Sequence, residues 1–138
     1  VRGDMTIEGE TTRPIATQVS SMYQLKKNGA DNLSSLPSNH DPKARDPRTY
    51  PLISADKKTL WLVQVDGRQD WFSCGMSHDE ILVLAKKLGA ANVTNLDGGG
   101  SSVMWVYDTA AGKGSVVNSV SDSKGERSCL NYMLVKVK

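Results

Sequence analysis

The segment of residues 77–89 limits the fold of this chain more than any other. Ser77 and Glu80 are spaced as a capping box, in which each side chain binds the backbone N–H of the other residue. Four apolar residues at helical spacing follow, and a glycine ends the segment: Ile81, Leu84, Ala85, Leu88 and Gly89. The pattern therefore predicts an α-helix over residues 78–88.

Short apolar runs on both sides of this helix predict strands. Residues 59–66, TLWLVQVD, are apolar on both faces and predict a buried strand. Further strands are predicted at Trp71 and Phe72 and over residues 92–96, 102–107, 116–117 and 130–137. With 138 residues the chain has the size of one domain. We therefore predict one α+β domain over residues 1–138, with a mixed, mainly antiparallel sheet packed with one or two helices.

The first third of the chain predicts fewer elements. Residues 5–10 alternate weakly between apolar and polar, which is typical of a short strand. Pro14 opens a helical pattern that ends near Gly29, with apolar positions at Ile15, Val19, Met22 and Tyr23. Residues 31–47 are polar and contain three prolines, so we predict a long surface loop there.

Composition and motifs exclude several classes of function. The net charge is only +2, and the basic residues are scattered, which is not the pattern of a protein that binds a nucleic-acid backbone. The longest apolar runs are too short for a membrane span. Neither a Walker pattern nor a Gly-x-Ser-x-Gly elbow occurs, which disfavours a P-loop NTPase and a serine hydrolase of that type.

Residues 95–102, Asn-Leu-Asp-Gly-Gly-Gly-Ser-Ser, form the most informative segment. Asp97 ends a predicted strand and is followed at once by three glycines. Glycines let backbone N–H groups approach a ligand closely and point towards it together. Ser101 and Ser102 add hydroxyl donors. This combination favours a site for a phosphate or a crowded sugar over a plain hairpin loop.

Charged residues in other turns are weaker signals when taken alone. Asp66 and Arg68 flank a turn at a strand end, and Arg48 follows Asp46 and Pro47 in a rigid turn. Arg127 precedes the last predicted strand. Each arginine could grip two phosphate oxygens or could be a solvated surface charge. The two histidines, His40 and His78, have no partner at triad or metal-ligand spacing.

Together with a few further motifs, these segments occur in a defined order along residues 45–138. The order is Pro47-Arg48-Thr49, Asp66-Gly67-Arg68-Gln69, Gly75-Met76 with Glu80, residues 95–102, Asn118, Ser121-Asp122, Glu126-Arg127 and Asn131. The ordered set resembles the C-terminal part of the catalytic domain of the phosphodiester glycosidase family. The resemblance implies a hydrolase that cleaves a sugar-1-phosphodiester at the glycosidic bond to phosphate.

The resemblance also implies roles for individual residues. Asp97 and Glu80 become the carboxylate pair for acid, base or nucleophile chemistry, and Asp66 becomes a third acid that orients an arginine or binds a metal. No cofactor is required, although a divalent cation such as calcium could sit among these oxygens. The expected substrate-binding residues are Arg48, Thr49, Arg68, Gly98, Gly99, Gly100, Ser101, Ser102, Asn118, Asp122 and Arg127.

Residues 1–44 depart from the family pattern, because they lack the Asn-Gly-Gly type motif of its N-terminal half. We therefore expect a divergent or truncated N-terminal part, completed by a second chain or by another copy of this one. Two alternatives stay open: a non-catalytic module that binds a glycan or sugar phosphate, and a metal-dependent phosphodiesterase using Asp66, Glu80 and Asp97. The partner expected in every case is a carbohydrate or sugar phosphate, with no nucleic acid and no membrane span.

Known members of the family are secreted, lumenal or bacterial-envelope proteins, so the resemblance implies an extracytoplasmic location. In such a compartment a disulfide between Cys74 and Cys129 is one prediction, and two separate thiols are the other. Both cysteines lie beside family motifs, which predicts that they are close in space.

Overall fold

The computed structural model describes residues 3–4, 20–21, 23–129 and 132–135. These residues form one α-helix, two short 3₁₀ turns, Leu33–Ser35 and Gly99–Ser101, and nine strands. The helix is α1 (His78–Leu88), and the strands are β1 (Gly3–Asp4), β2 (Ser20–Ser21), β3 (Tyr23–Lys27), β4 (Ala30–Asp31), β5 (Arg48–Ser54), β6 (Leu60–Val65), β7 (Ala90–Asn95), β8 (Trp105–Asp108) and β9 (Lys113–Val116).

A five-stranded sheet in the order β4-β3-β7-β5-β6 forms the body of the protein. Its described strand pairings are all antiparallel, as are those of the two separate hairpins, β1-β2 and β8-β9. The predicted fold class, α+β with a mainly antiparallel sheet and a helix, is confirmed. None of the described helices is long and apolar enough to cross a membrane.

Helix α1 has the predicted bounds and the predicted ends. The Ser77 hydroxyl accepts from the Glu80 N–H and the Glu80 carboxylate accepts from the Ser77 N–H, so the capping box is complete. Gly89 ends the helix in the left-handed region, at φ 73°, and its N–H bonds back to the carbonyls of Ala85 and Lys86. The helix packs on one face of the sheet, where the core contains Leu25, Tyr50, Leu52, Ile81, Leu82, Ala85, Ala90 and Val93.

The N-terminal helical pattern was the wrong interpretation of residues 23–27, which form β3. The physical reason is the dipeptide that follows: Asn28 and Gly29 both have positive φ, at 49° and 87°, and turn the chain directly into β4. Asn-Gly is a strong hairpin signal, and here it reverses a strand rather than ending a helix. The predicted strand at residues 5–10 and the start of the predicted helix, residues 14–19, lie outside the described residues.

Other strand predictions also need correction. Strand β6 is buried on one face only: Trp61, Val63 and Val65 pack against the core, whereas Leu60 and Leu62 on the other face are 45% and 40% exposed. Trp71 and Phe72 form a turn instead of a strand. Strand β5 was not predicted, although Tyr50 and Leu52 are fully buried in the core. Residues 132–135 have no regular structure, and the rest of the predicted last strand lies outside the described residues.

A buried histidine supports the start of α1. His78 is fully buried, its Nδ1 lies 3.1 Å from the Tyr50 hydroxyl, and its ring stacks on His40 with centroids 6.0 Å apart. Burial, assisted by the nearby Arg48 guanidinium and His40, lowers the pKa of His78 to about 4. The folded protein therefore resists protonation at a pH where a histidine in the unfolded chain accepts a proton, because the ordinary pKa is about 6.5.

This lowered pKa predicts a loss of stability in mild acid. Between pH 7 and pH 5 His78 becomes protonated in the unfolded chain but stays neutral in the folded protein. We therefore expect His78 to lower the free energy of unfolding by about 2 kcal/mol over this pH range. Urea denaturation at the two pH values measures the fall. The His78→Gln variant, which cannot titrate, should lose that part of the pH dependence, and an unchanged dependence in this variant would contradict the assignment.

Candidate active site

The three-glycine segment leaves the end of β7 and is fixed to the start of β5. The Leu96 N–H donates to the Thr49 carbonyl over 2.9 Å, and the Gly99 N–H donates to the Pro47 carbonyl over 3.0 Å. Gly99 has φ 59° and opens the 3₁₀ turn Gly99–Ser101. A Cβ at Gly98 would lie 2.8 Å from the Pro47 oxygen, so this close approach of two backbones requires glycine.

Two arginines from distant parts of the chain lie against consecutive glycines of this turn. A Cβ placed on Gly99 would be 3.0 Å from Nη1 of Arg68. A Cβ placed on Gly100 would overlap the guanidinium of Arg127. The glycines therefore make room for two cations at the turn, and the structure brings together four of the residues predicted from the sequence: Arg68, Gly99, Gly100 and Arg127.

A carboxylate orients each of these arginines. Arg68 Nε donates to Oδ1 of Asp46 over 2.8 Å, and Arg127 Nε donates to Oδ2 of Asp122 over 2.8 Å. The hydrogen bond from Arg127 is the largest cause of a lowered pKa at Asp122. Both guanidinium groups are about half exposed, so they can reach a ligand as well as their carboxylates. Asp122 thus contacts Arg127, and the structure gives it no direct place at the turn.

Arg48 is placed differently from the other two arginines. Its side chain is 7% exposed, and Nη2 donates to the Ala44 carbonyl and to Oδ2 of Asp46, over 3.2 and 3.4 Å. Asp46 therefore bridges buried Arg48 and exposed Arg68. Sequence reasoning missed Asp46 as a site residue, although a carboxylate directly before Pro47 and Arg48 was a signal for it.

Asp66 and Asn118 are joined by a hydrogen bond next to the glycine turn. Asn118 Nδ2 donates to Oδ1 of Asp66 over 2.9 Å and to the Ser102 carbonyl over 3.0 Å, while its Oδ1 accepts from the Met104 N–H. Oδ2 of Asp66 accepts from the Ser119 N–H over 3.0 Å. These bonds connect the end of β6 to the end of the glycine turn, so both side chains have contacts that hold the turn in place.

Glu80 is engaged at the start of α1. One carboxylate oxygen completes the capping box and the other pairs with Arg45, whose Nη1 also lies 3.1 Å from the Cys74 sulfur. The backbone N–H of Ser77 is the first cause of a lowered pKa at Glu80, which keeps this carboxylate ionised. The structure thus gives Glu80 a structural partner on each oxygen. Cys74 and Cys129 are both free, exposed thiols and form no disulfide.

A cavity of about 720 Å³ adjoins the turn on the sheet face opposite α1. Thr49, Asp97, Ser101 and Arg127 line it, whereas Glu80, Arg48 and Arg68 do not. The Thr49 hydroxyl donates to Gln64 Oε1 over 2.9 Å, which keeps these two polar side chains in its wall. Its remaining lining is mostly apolar and includes Leu62, Leu96, Met104, Trp105 and Leu134. Asp97 and the cationic Arg127 thus line the same cavity, which has room for a small ligand.

Within the part of the chain that the structure describes, no three His, Cys, Asp or Glu side chains converge in a way that could hold a metal ion. Asp66 is bonded to Asn118 and Ser119, and Glu80 to Ser77 and Arg45, so their carboxylates already have partners.

Comparison with known proteins assigns the chain to a family. None of the curated protein sequences matches it. The sequence model of the phosphodiester glycosidase family matches residues 4–136, which includes most of the segment 1–44 as well as the motif-bearing part. Since that match covers almost the whole chain, the protein belongs to the phosphodiester glycosidase family, as the ordered motifs predicted.

Proposed function

We propose that this protein hydrolyses a sugar-1-phosphodiester, with the phosphate held at the glycine turn between Arg68 and Arg127. One observation carries the proposal: two guanidinium groups lie against Gly99 and Gly100, in the turn that follows Asp97 in the sequence. Arg68 has only its Nε in a described hydrogen bond, so its two Nη groups can form a fork on phosphate oxygens. Family membership supports phosphodiester glycosidase chemistry independently.

In the proposed reaction Asp97 acts as the general base. A water molecule adds its oxygen to the anomeric carbon and gives its proton to the Asp97 carboxylate. The bond between the anomeric carbon and the phosphate oxygen breaks, and its electron pair leaves with the phosphate. The products are a free sugar and a phosphate monoester, whose added negative charge Arg68 and Arg127 stabilise. Asp97 then releases its proton to solvent.

A second candidate, a sugar-phosphate-binding module without turnover, is favoured by the contacts of Glu80. Both oxygens of this carboxylate are occupied, by the capping box and by Arg45, so the second carboxylate that the family resemblance implied is not free in the structure. The phosphate site at the glycine turn would serve binding equally well.

The deciding experiment is an assay with an N-acetylglucosamine-1-phosphodiester, with and without a chelator. Release of free sugar and phosphate monoester in both conditions supports the proposed hydrolase. Release of N-acetylglucosamine-1-phosphate and the free alcohol, stopped by chelator, supports the metal-dependent phosphodiesterase. Binding of the diester without any release supports the binding module, and absence of binding contradicts the proposed phosphate site.

Arg127 provides a quantitative test of the phosphate site. We expect Arg127→Lys to raise KM about tenfold and to change kcat less, because a compact ammonium replaces a planar fork that is oriented by Asp122. Steady-state kinetics on the same diester measure both constants. If KM stays at its original value, Arg127 does not contact the phosphate.

A further inference from the structure

The turn that follows Arg68 presents two aromatic rings to solvent. Trp71 is fully exposed and Phe72 is 64% exposed. Trp71 also has φ 54° and Arg68 has φ 56°, in the left-handed region that side chains with a Cβ seldom adopt. Among the described residues only Asn28 and Lys57 share this feature with them. Because Trp71 is strained and buries none of its side chain, its position is not explained by a contribution to stability.

This turn is held rigidly at its base. Gln69 and Ser73 exchange backbone hydrogen bonds of 3.1 and 3.0 Å, and the Ser73 hydroxyl donates to the Asp66 carbonyl. The Gln69 side chain exchanges two further hydrogen bonds of 2.8 Å with Ser119. The backbone of the turn is therefore fixed by hydrogen bonds at its base, which places the two rings at a defined point on the surface.

The same turn carries both the two rings and Arg68, which belongs to the proposed phosphate site. Arg68 lies three residues before Trp71, and its guanidinium contacts Gly99 beside Asp97. We propose that Trp71, with Phe72 beside it, is a stacking surface for a pyranose ring of the substrate next to the phosphate that Arg68 binds. This proposal rests on the proposed function. In this proposal the turn recognises a second sugar ring, so the substrate is a carbohydrate chain and not a single sugar.

The chemistry of the two partners agrees. One face of a pyranose ring presents C–H groups, which pack on the electron-rich face of an indole, and the ring hydroxyls stay in water. The indole N–H can donate to one of those hydroxyls. An open aromatic surface without walls suits a pyranose ring, which has one face of C–H groups and a hydrated rim of hydroxyls, whereas a flexible alkyl chain would need an enclosed groove.

The test compares two substrates that differ in the alcohol esterified to N-acetylglucosamine-1-phosphate: methanol in one, a disaccharide in the other. We expect Trp71→Ala to lower kcat/KM for the disaccharide diester 3- to 10-fold more than for the methyl diester. Trp71→Tyr, which keeps an aromatic face, should restore most of the preference. Val83→Ala, which alters an exposed apolar side chain on α1 away from the turn, is the control and should leave the ratio of the two constants unchanged.

A binding measurement separates this proposal from the proposed function. If no diester is turned over, each diester is titrated into the wild type and into Trp71→Ala by calorimetry, which does not depend on the tryptophan that is removed. A dissociation constant that rises 3- to 10-fold in Trp71→Ala, with no such rise for the methyl diester, supports the stacking surface even in a protein without turnover. Equal effects on both ligands, or no effect on either, overturn it. Because the Trp71 side chain is fully exposed, its removal should leave the fold intact.

Discussion

The Asp97→Asn variant is expected to lose about 10³-fold in kcat for a sugar-1-phosphodiester while it stays folded. Asn keeps the shape of the side chain, and its oxygen can still accept from the Gly98 N–H, a bond of 2.9 Å in the wild type. It cannot take a proton from water. Since Asp97 is exposed at the cavity, little stability depends on its charge. Release of free sugar measures kcat, and thermal unfolding measures stability.

Asp56→Asn is the matched control for this experiment. Asp56 accepts from Ser54 and Lys58 in the β5–β6 hairpin, at the opposite end of these strands, and an Asn oxygen can keep both bonds. This variant should retain full turnover. If Asp97→Asn also retains turnover, Asp97 is not the base, although the phosphate site could still be correct.

The second large effect is expected at Gly99. Replacement by Val should weaken binding of N-acetylglucosamine-1-phosphate at least about 100-fold, because a branched side chain is strained at φ 59° and its Cβ would lie 3.0 Å from Arg68 Nη1. The turn and the guanidinium cannot both keep their positions. Titration calorimetry measures the affinity, and circular dichroism should show the helix content of the wild type.

Gly112 offers a control with the same backbone strain and no neighbour. It has φ 63° in the turn between β8 and β9, and a Cβ there would meet nothing within 4 Å. Gly112→Val should therefore bind the ligand as the wild type does. Equal losses of affinity in the two variants would attribute the effect to backbone strain, and unchanged affinity in Gly99→Val would remove this turn from the binding site.

The sequence predicted correctly those features that depend on interactions between residues close together in the chain. The capping box at Ser77 and Glu80, the apolar face of α1 and the end at Gly89 all act within a few residues, so the helix could be placed correctly. The position of Asp97 at the end of a strand was similarly clear. The three glycines predicted a close approach, but only the structure shows that Arg68 and Arg127 are what approaches them.

Long-range features of the sheet could not be predicted in this way. Pro51 lacks a backbone N–H, which is unfavourable in a central strand, yet β5 lies between β6 and β7. The described pairing of β5 with β7 begins only at Leu52. The apolar residues of β6 predicted burial on both faces, because the pattern does not show that the face of Leu60 and Leu62 stays partly exposed. The ion pair between Arg68 and Asp46 joins residues 22 positions apart on either side of the β5–β6 hairpin, so it was not visible locally either.

The bond between Asp66 and Asn118 imposes an order of events on the folding chain. These residues are 52 positions apart, so joining them closes a long loop, which costs more entropy than the local contacts of α1 or of the β5–β6 hairpin. The ribosome also synthesises all the strands of the five-stranded sheet and its helix before it adds Asn118 and Arg127. We therefore expect the scaffold to form before the phosphate site, and a change confined to residues 118–127 to impair the site more than the scaffold.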